Sequence, residues 1–323
     1  MTKYRLFGPN SRTAISENNS TSLSSYLLAN ASLAGDLEVE FTAIFCDFDD
    51  YTLRDLDALP KGVRRILLRN EPKVVRPQNH KLSLLKEMDL IVDVGRPKAS
   101  GGIRVNWPQT WNLTHIEGMQ NPNLPRANRF AVINAHKLSF VPGELYSLRR
   151  YFVNQSTQID TWGPNWEAPI WRQAVTAIKE CMIATRYGAG ISLSALKGWL
   201  DNPLTYLGLS PNKLETLATY KYSLVIENSM EFMTEKLFDS LFAGTFPIYV
   251  GPDIELFGIP SFVALQASPN IDSVTKAMEA AFEVDLDSWR TKTLAWLKSE
   301  GIEQQWSSRE FFARIVREIE RES

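Results

Sequence analysis

Short, largely apolar runs recur along this chain, separated from one another by segments of helical spacing. Leu90-Ile91-Val92-Asp93-Val94, Phe130-Ala131-Val132-Ile133 and Pro247-Ile248-Tyr249-Val250 show the pattern. A run that is apolar on both faces reads as a strand covered on both sides. Such strands alternating with helices build a parallel sheet. That alternation assigns the chain to the α/β class.

The pattern comes in two series. In the first, strands are expected at Tyr4 to Phe7, Leu37 to Phe45, Arg65 to Leu68 and Leu90 to Val94, with helices near Leu23 to Ala31, Thr52 to Leu59 and Lys81 to Met88. Residues 9 to 25, rich in Asn, Ser and Thr, read as a loop able to line a cleft. The second series starts at the strand Phe130 to Asn134. It continues through a helix at Glu144 to Phe152, a strand at Gln158 to Thr161 and a helix at Ala168 to Ala184. Buried strands at Leu224 to Ile226, Pro247 to Val250 and Phe262 to Leu265 follow, with helices at Asn212 to Thr219 and Glu235 to Ala243. Between the series, Trp107 to Arg129 mixes prolines and asparagines with little periodicity, which sets a domain boundary near Arg126. Trp107 and Trp111 read as sealing residues for the domain contact there rather than as sugar-stacking groups. The expected domains are therefore 1–126 and 127–305. A tail helix, 306–323, carries Phe311, Phe312, Ile315, Val316 and Ile319 on one docking face.

A length of 323 residues also fits two cores better than one. With 35 Lys and Arg against 37 Asp and Glu, the formal charge of -2 implies no bulk attraction to nucleic acid or an anionic bilayer. Any phosphate site has to be local. Cys46 and Cys181 form no CxxC pair, which argues against a disulfide framework or a structural zinc site. His80, His115 and His136 lack metal-ligand spacing. No signal peptide and no apolar run of roughly 20 residues occurs, so the expectation is a soluble, cytoplasmic protein without a transmembrane segment.

The chemistry concentrates after one strand. Tyr222-Ser223-Leu224-Val225-Ile226-Glu227-Asn228-Ser229 runs from an apolar strand into polar residues and, across a short loop, meets Thr234-Glu235-Lys236-Leu237. Thr234 is a good N-cap, and a helix starting there would offer free N–H groups and a favourable dipole to a pyrophosphate. Glu235 can accept two hydrogen bonds from a ribose diol, and Lys236 can offset phosphate charge. Taken as an isolated pair, the two read as a first-turn acid and its solvated partner.

The longer string decides otherwise. Lys221 to Ser229, then Thr234-Glu235-Lys236, then Gly244-Thr245-Phe246-Pro247-Ile248-Tyr249-Val250-Gly251 resembles the signature of the family 10 α-1,3/1,4-fucosyltransferases. That resemblance implies a GT-B-like architecture, two Rossmann-like α/β domains facing a cleft. A GDP-sugar, GDP-fucose for this family, would be held by the C-terminal domain and a glycan acceptor mainly by the N-terminal one, with no obligatory metal. It implies that Glu235 binds ribose, that Lys236 binds phosphate, and that Glu227 and Asn228 shape the sugar pocket, with Tyr222 and Thr234 in the same motif. The family commonly has Tyr where this chain has Phe232.

Upstream, Leu67-Leu68-Arg69-Asn70-Glu71-Pro72 resembles the family motif whose Glu is the proposed general base, although Glu71 meets Pro72 without an intervening Ser. An inverting transfer needs such a carboxylate to take the acceptor's hydroxyl proton. The family's phosphate-binding arginine aligns nearest Tyr146. Arg149, three residues on and on the same helical face, is assigned to the role, with a solvated basic face as the alternative. The expectation is an inverting fucosyl transfer catalysed by Glu71, Arg149 and Lys236, with peripheral membrane contact through a lipid-linked acceptor. Another nucleotide sugar on the same fold, and a non-catalytic nucleotide- or sugar-binding module, are the rivals.

Overall fold

The computed structural model describes residues 3–8, 40–97 and 102–322. The loop expected over residues 9 to 25 and the helix near Leu23 to Ala31 lie outside them. The chain forms two compact units, Met1–Thr110 together with Gln304–Ser323, and Trp111–Glu303.

Unit 1 holds strands β1 (Tyr4–Phe7), β2 (Thr42–Cys46), β3 (Arg65–Arg69), β4 (Leu90–Val94) and β5 (Ile103–Val105). They pair in parallel in their sequence order. Helix α1 (Asp50–Ala58) is started by a capping box in which Asp49 and Thr52 satisfy each other's backbone N–H groups. With α2 (Leu82–Leu85), it lays Leu53, Leu56, Leu84 and Leu85 over Ala43, Phe45 and Leu67 on one face of the sheet. The helix expected over Lys81 to Met88 shrinks to this single turn.

Unit 2 holds β6 (Ala127–Ile133), β7 (Ile159–Trp162), β8 (Tyr220–Ile226), β9 (Phe246–Val250) and β10 (Leu265–Gln266), all parallel, in the order β10-β9-β8-β6-β7. Its helices are α3 (Leu113–Met119), α4 (Tyr146–Gln155), α5 (Ile170–Arg186), α6 (Lys213–Ala218), α7 (Lys236–Phe242), α8 (Ile271–Ala281) and α9 (Leu286–Leu297). Asn112, Asn212, Asn270 and Asp285 cap α3, α6, α8 and α9 through their side chains. In the unit's own numbering the strand order is 2-1-3-4-5, whose direction of winding reverses between β6 and β8.

The division at Trp111 falls earlier than Arg126. The segment after it belongs to unit 2 because Trp111 packs edge-on against Phe242 at 5.1 Å, and Gln120 and Arg126 bond the carbonyls of Leu241 and Ala243. Trp107 instead packs into the core of unit 1. Gly244 follows α7 at φ +65°, and a side chain there would meet Arg126 and the Met119 carbonyl at 3.1 Å. The strand expected at Phe262 to Leu265 is a 3-10 turn, Ser261–Val263, and the two-residue β10, because the half-exposed Phe262 lies outside the sheet.

After α10 (Ile302–Trp306) the chain re-enters unit 1, where Gln109 donates to the Trp306 carbonyl at 2.7 Å and accepts from the Ser308 amide at 2.8 Å. Helix α11 (Ser308–Arg321) then sets Phe311, Ile315, Val316 and Ile319 against Tyr4, Ile44, Ile66, Val92 and Val94. Strands laid down in sequence order place right-handed crossovers on one face, so the other face of a parallel sheet needs a separate cover. The tail helix supplies it. Among the described residues no helix is long and apolar enough to cross a membrane.

Candidate functional site

Open α/β sheets bind ligands outside the carboxyl ends of their strands, where the winding reverses. In unit 2 that place is the crevice beyond β6 and β8. Glu227 follows β8 directly and is fully buried. Its Oε1 accepts from the Thr234 amide at 2.9 Å, and its Oε2 accepts from the Thr234 hydroxyl at 2.9 Å and from Lys236 Nζ at 2.9 Å. Lys236 Nζ also donates to the Thr234 hydroxyl at 2.7 Å. Two of its three donors are thereby engaged, and one remains.

Thr234 therefore does not cap α7. The helix starts at Lys236 behind Glu235, which lies in helical conformation and gives no side-chain cap. The buried carboxylate of Glu227 has the stronger claim on the Thr234 hydroxyl, since an unsatisfied charge there would cost several kcal/mol. The anion-binding potential of this corner thus rests on side-chain cations rather than on a helix dipole.

Arg149 arrives from α4, 3% exposed, and its Nη2 donates to the carbonyls of Ile226 and Glu227 at the very end of β8. Burial pulls its pKa down, against the opposing pull of Tyr146, Glu227 and Glu144. Its Nε is buried without a hydrogen-bond partner. Asn228 fixes α4 in turn, its carbonyl accepting from the Leu145 amide at 3.1 Å. Gly251 ends the motif because a Cβ there would collide with Tyr249 Oη and meet Glu227 Cγ at 2.9 Å.

Glu235 points to a different partner. Lys213 of α6 donates to Glu235 Oε1 at 3.1 Å and to Asp239 Oδ2 at 2.7 Å. Burial alone would raise the Glu235 pKa, yet Lys236 and Lys213 outweigh it and hold the carboxyl at about 2. For Asp239, burial wins and lifts the pKa to about 6. Lys213, Asp239, Lys236, Ser223, Ser240 and Asn134 line a small, shallow pocket at the β6/β8 reversal. Tyr222 stands apart, its ring packed at 5.2 Å from both Phe130 and Phe282 in the core. Phe232 is fully buried, in a turn closed by a bridge between Ser229 and Phe232.

Unit 1 has its own polar cluster at the carboxyl ends of β2, β3 and β4. Asp47 adopts a left-handed backbone, φ 63°, and its carboxylate accepts from the amides of Asn70 and Glu71 at 2.8 and 3.2 Å and from Asn79 Nδ2 at 2.6 Å. Arg96 Nη2 donates to the Glu71 carbonyl at 3.0 Å and lies 3.2 Å from His80 Nε2. Burial, then Arg96 and Arg69, depress the His80 pKa to about 3. The ring is neutral at pH 7, so Nε2 is the acceptor for Arg96 and Nδ1 carries the proton. Asp93 braces Arg69 at 2.5 Å and Arg96 at 3.2 Å. The Glu71 backbone is thus held from both sides.

The string at the end of β8 predicted Glu227, Thr234 and Lys236 together, and the structure gathers them with Arg149. Sequence reasoning missed Lys213, Asp239, Asp47, Asn79 and Arg96. The Asn212 cap beside Lys213 was a legible helix start, but no spacing rule connects Lys213 to Glu235 twenty-two positions away.

Two parallel sheets with this topology form the fold of the GT-B glycosyltransferases. Among solved structures, the chain is similar to an α1,3-fucosyltransferase over 99% of its own length and 91% of that chain, at a TM-score of 0.56 and 12% identity. The complex of an α1,3-fucosyltransferase with GDP-fucose gives 0.51 at 12% identity, over 99% and 90% of the two chains. A trehalose-6-phosphate synthase gives 0.51 at 13% identity, over 93% of this chain and 75% of that one. These likenesses are of fold. A fucosyltransferase-like protein of Arabidopsis thaliana is 32% identical over 126 residues, which is 35% of this chain and 25% of that relative. The chain thus spans a quarter of the length of the curated relative it matches. No family model matches it.

Proposed function

We propose that this chain is an inverting glycosyltransferase that moves fucose from GDP-fucose to a hydroxyl of a glycan acceptor. The observation that carries the reading is the corner at the β6/β8 reversal, where the strand bearing the fucosyltransferase-like string ends on two cations, Lys236 and Arg149. Lys236 has a donor left for a β-phosphate oxygen, and the unpartnered Arg149 Nε is a second claim on an acceptor. Glu235, ionised down to about pH 2, suits a ribose diol, and Lys213 holds it in place. Glu227 and Thr234 position Lys236, and Asn228 fixes α4 and with it Arg149.

In the proposed reaction, the Glu71 carboxylate takes the acceptor's hydroxyl proton as that oxygen bonds to the anomeric carbon. The bond from that carbon to the β-phosphate oxygen breaks, its electron pair leaves on GDP, and Lys236 and Arg149 balance the added charge. No step draws on a metal. The free thiols of Cys46 and Cys181 suit a cytoplasmic setting, and a lipid-linked glycan is the proposed acceptor class.

Calorimetric titration with GDP, GDP-fucose, GDP-mannose and UDP tests the donor assignment. Guanine-selective binding that weakens at least about tenfold in Glu235→Ala is the expected result. Equal binding of UDP would move the assignment to another nucleotide sugar, and guanine-selective binding without transfer or hydrolysis would make the chain a binding module.

A further inference from the structure

Helix α5 is amphipathic in the wrong direction for a surface helix. Its protein-facing line is Gln173, Ala177, Glu180 and Ala184, in which Gln173 and Ala184 are the helix's buried residues. The line opposite, Trp171, Val175, Ile178 and Met182, has the same i, i+4, i+7, i+11 spacing and is 64, 58, 63 and 67% exposed. Facing water, an apolar line about 16 Å long is a feature that a surface helix ordinarily turns inward.

Charge says what covers it. Arg172, Lys179 and Arg186 recur every seven residues along one flank of the line, and all three are exposed. The helix's one acid, Glu180, is on the opposite side, toward the protein. Paired antiparallel with a second copy, the basic flank would meet its own like charges, and paired parallel it would meet Ala174 and Cys181. Neither arrangement supplies an anion. A surface that is apolar beneath and anionic at its face matches both halves of the pattern.

We propose that α5 is a membrane-docking helix, lying in the interface of an anionic phospholipid bilayer with Trp171, Val175, Ile178 and Met182 in the acyl boundary and Arg172, Lys179 and Arg186 among the headgroups. The proposal does not depend on the donor assignment, because none of these residues belongs to the site at β6 and β8.

Co-sedimentation of the full chain with phosphatidylcholine vesicles, with and without phosphatidylglycerol, tests it. Binding to the anionic vesicles that weakens with salt is the expected result. Ile178→Glu lowers the partition at least about tenfold, and Lys179→Gln about fivefold on anionic vesicles alone. An unchanged circular dichroism melt certifies that both variants fold, as the exposure of both sites predicts. Absence of wild-type binding to anionic vesicles at low salt, or binding indifferent to Ile178→Glu, overturns the proposal. A dimer that Ile178→Glu disperses, without vesicle binding, assigns the face to a second copy and overturns it equally.

Discussion

Glu227 is the most demanding residue of the molecule, a carboxylate with no exposed surface directly after the buried run Leu224 to Ile226. Lys236 and Thr234 answer that demand, so their substitution acts on stability before it acts on chemistry. Lys236→Ala should destabilise the chain by about 3–5 kcal/mol, because removing one partner strands a buried charge. Urea denaturation reads this, and adding Glu227→Gln should restore part of the loss. No recovery in the double variant would mean that Lys236 matters through packing alone. In unit 1, Glu71→Gln should remove at least about two orders of magnitude from turnover while leaving donor affinity unchanged. Asp47 and Arg96 hold Glu71 through main-chain atoms that the substitution keeps. Preserved turnover would take Glu71 out of the base role.

At the level of elements, α11 is an outer wall rather than an appendage. Ile315 is fully buried against the second face of the unit 1 sheet, so Ile315→Ala should cost about 2–5 kcal/mol in a urea titration. A cost below half a kcal/mol would show that the face is covered some other way. The tail's docking face was legible in the sequence because Phe311, Ile315 and Ile319 repeat at helical spacing. Which surface it docks on was not, since that follows from the strand order of a sheet begun some three hundred residues earlier. The central strands were legible for a similar reason: β4, β8 and β9 carry the apolar runs Leu90 to Val92, Leu224 to Ile226 and Ile248 to Val250, which are too short for a helix. Ends and short elements were not. The start of α7 shifted because a side chain favoured as a cap had a stronger electrostatic partner, and β5, three residues long, carries too little pattern to register.

Two buried histidines, one in each unit, should cost the molecule stability on acidification. His80 in unit 1 and His136 in unit 2 are both held neutral, at about 3 and about 4, His136 by burial and then by Arg150. Its ring is stacked between Trp166 and Trp199 at 4.7 and 4.2 Å. In the unfolded chain both titrate near 6.5, so between that pH and 4 the unfolded state binds more protons and stability falls as pH drops. The melting temperature should therefore decline from pH 7 to pH 5, and His136→Phe, which keeps the stack, should flatten part of the slope. A profile unchanged by His136→Phe would acquit that ring.

Unit 2 is one continuous stretch, whereas unit 1 leaves at Thr110 and returns at Gln304. On a ribosome, then, the domain begun first is finished last. Its sheet emerges with one oily face uncovered and must wait, through the entire synthesis of its neighbour, for the helix that closes it. Nascent chains stalled before Gln304 are the stage at which this protein should lean most heavily on a chaperone.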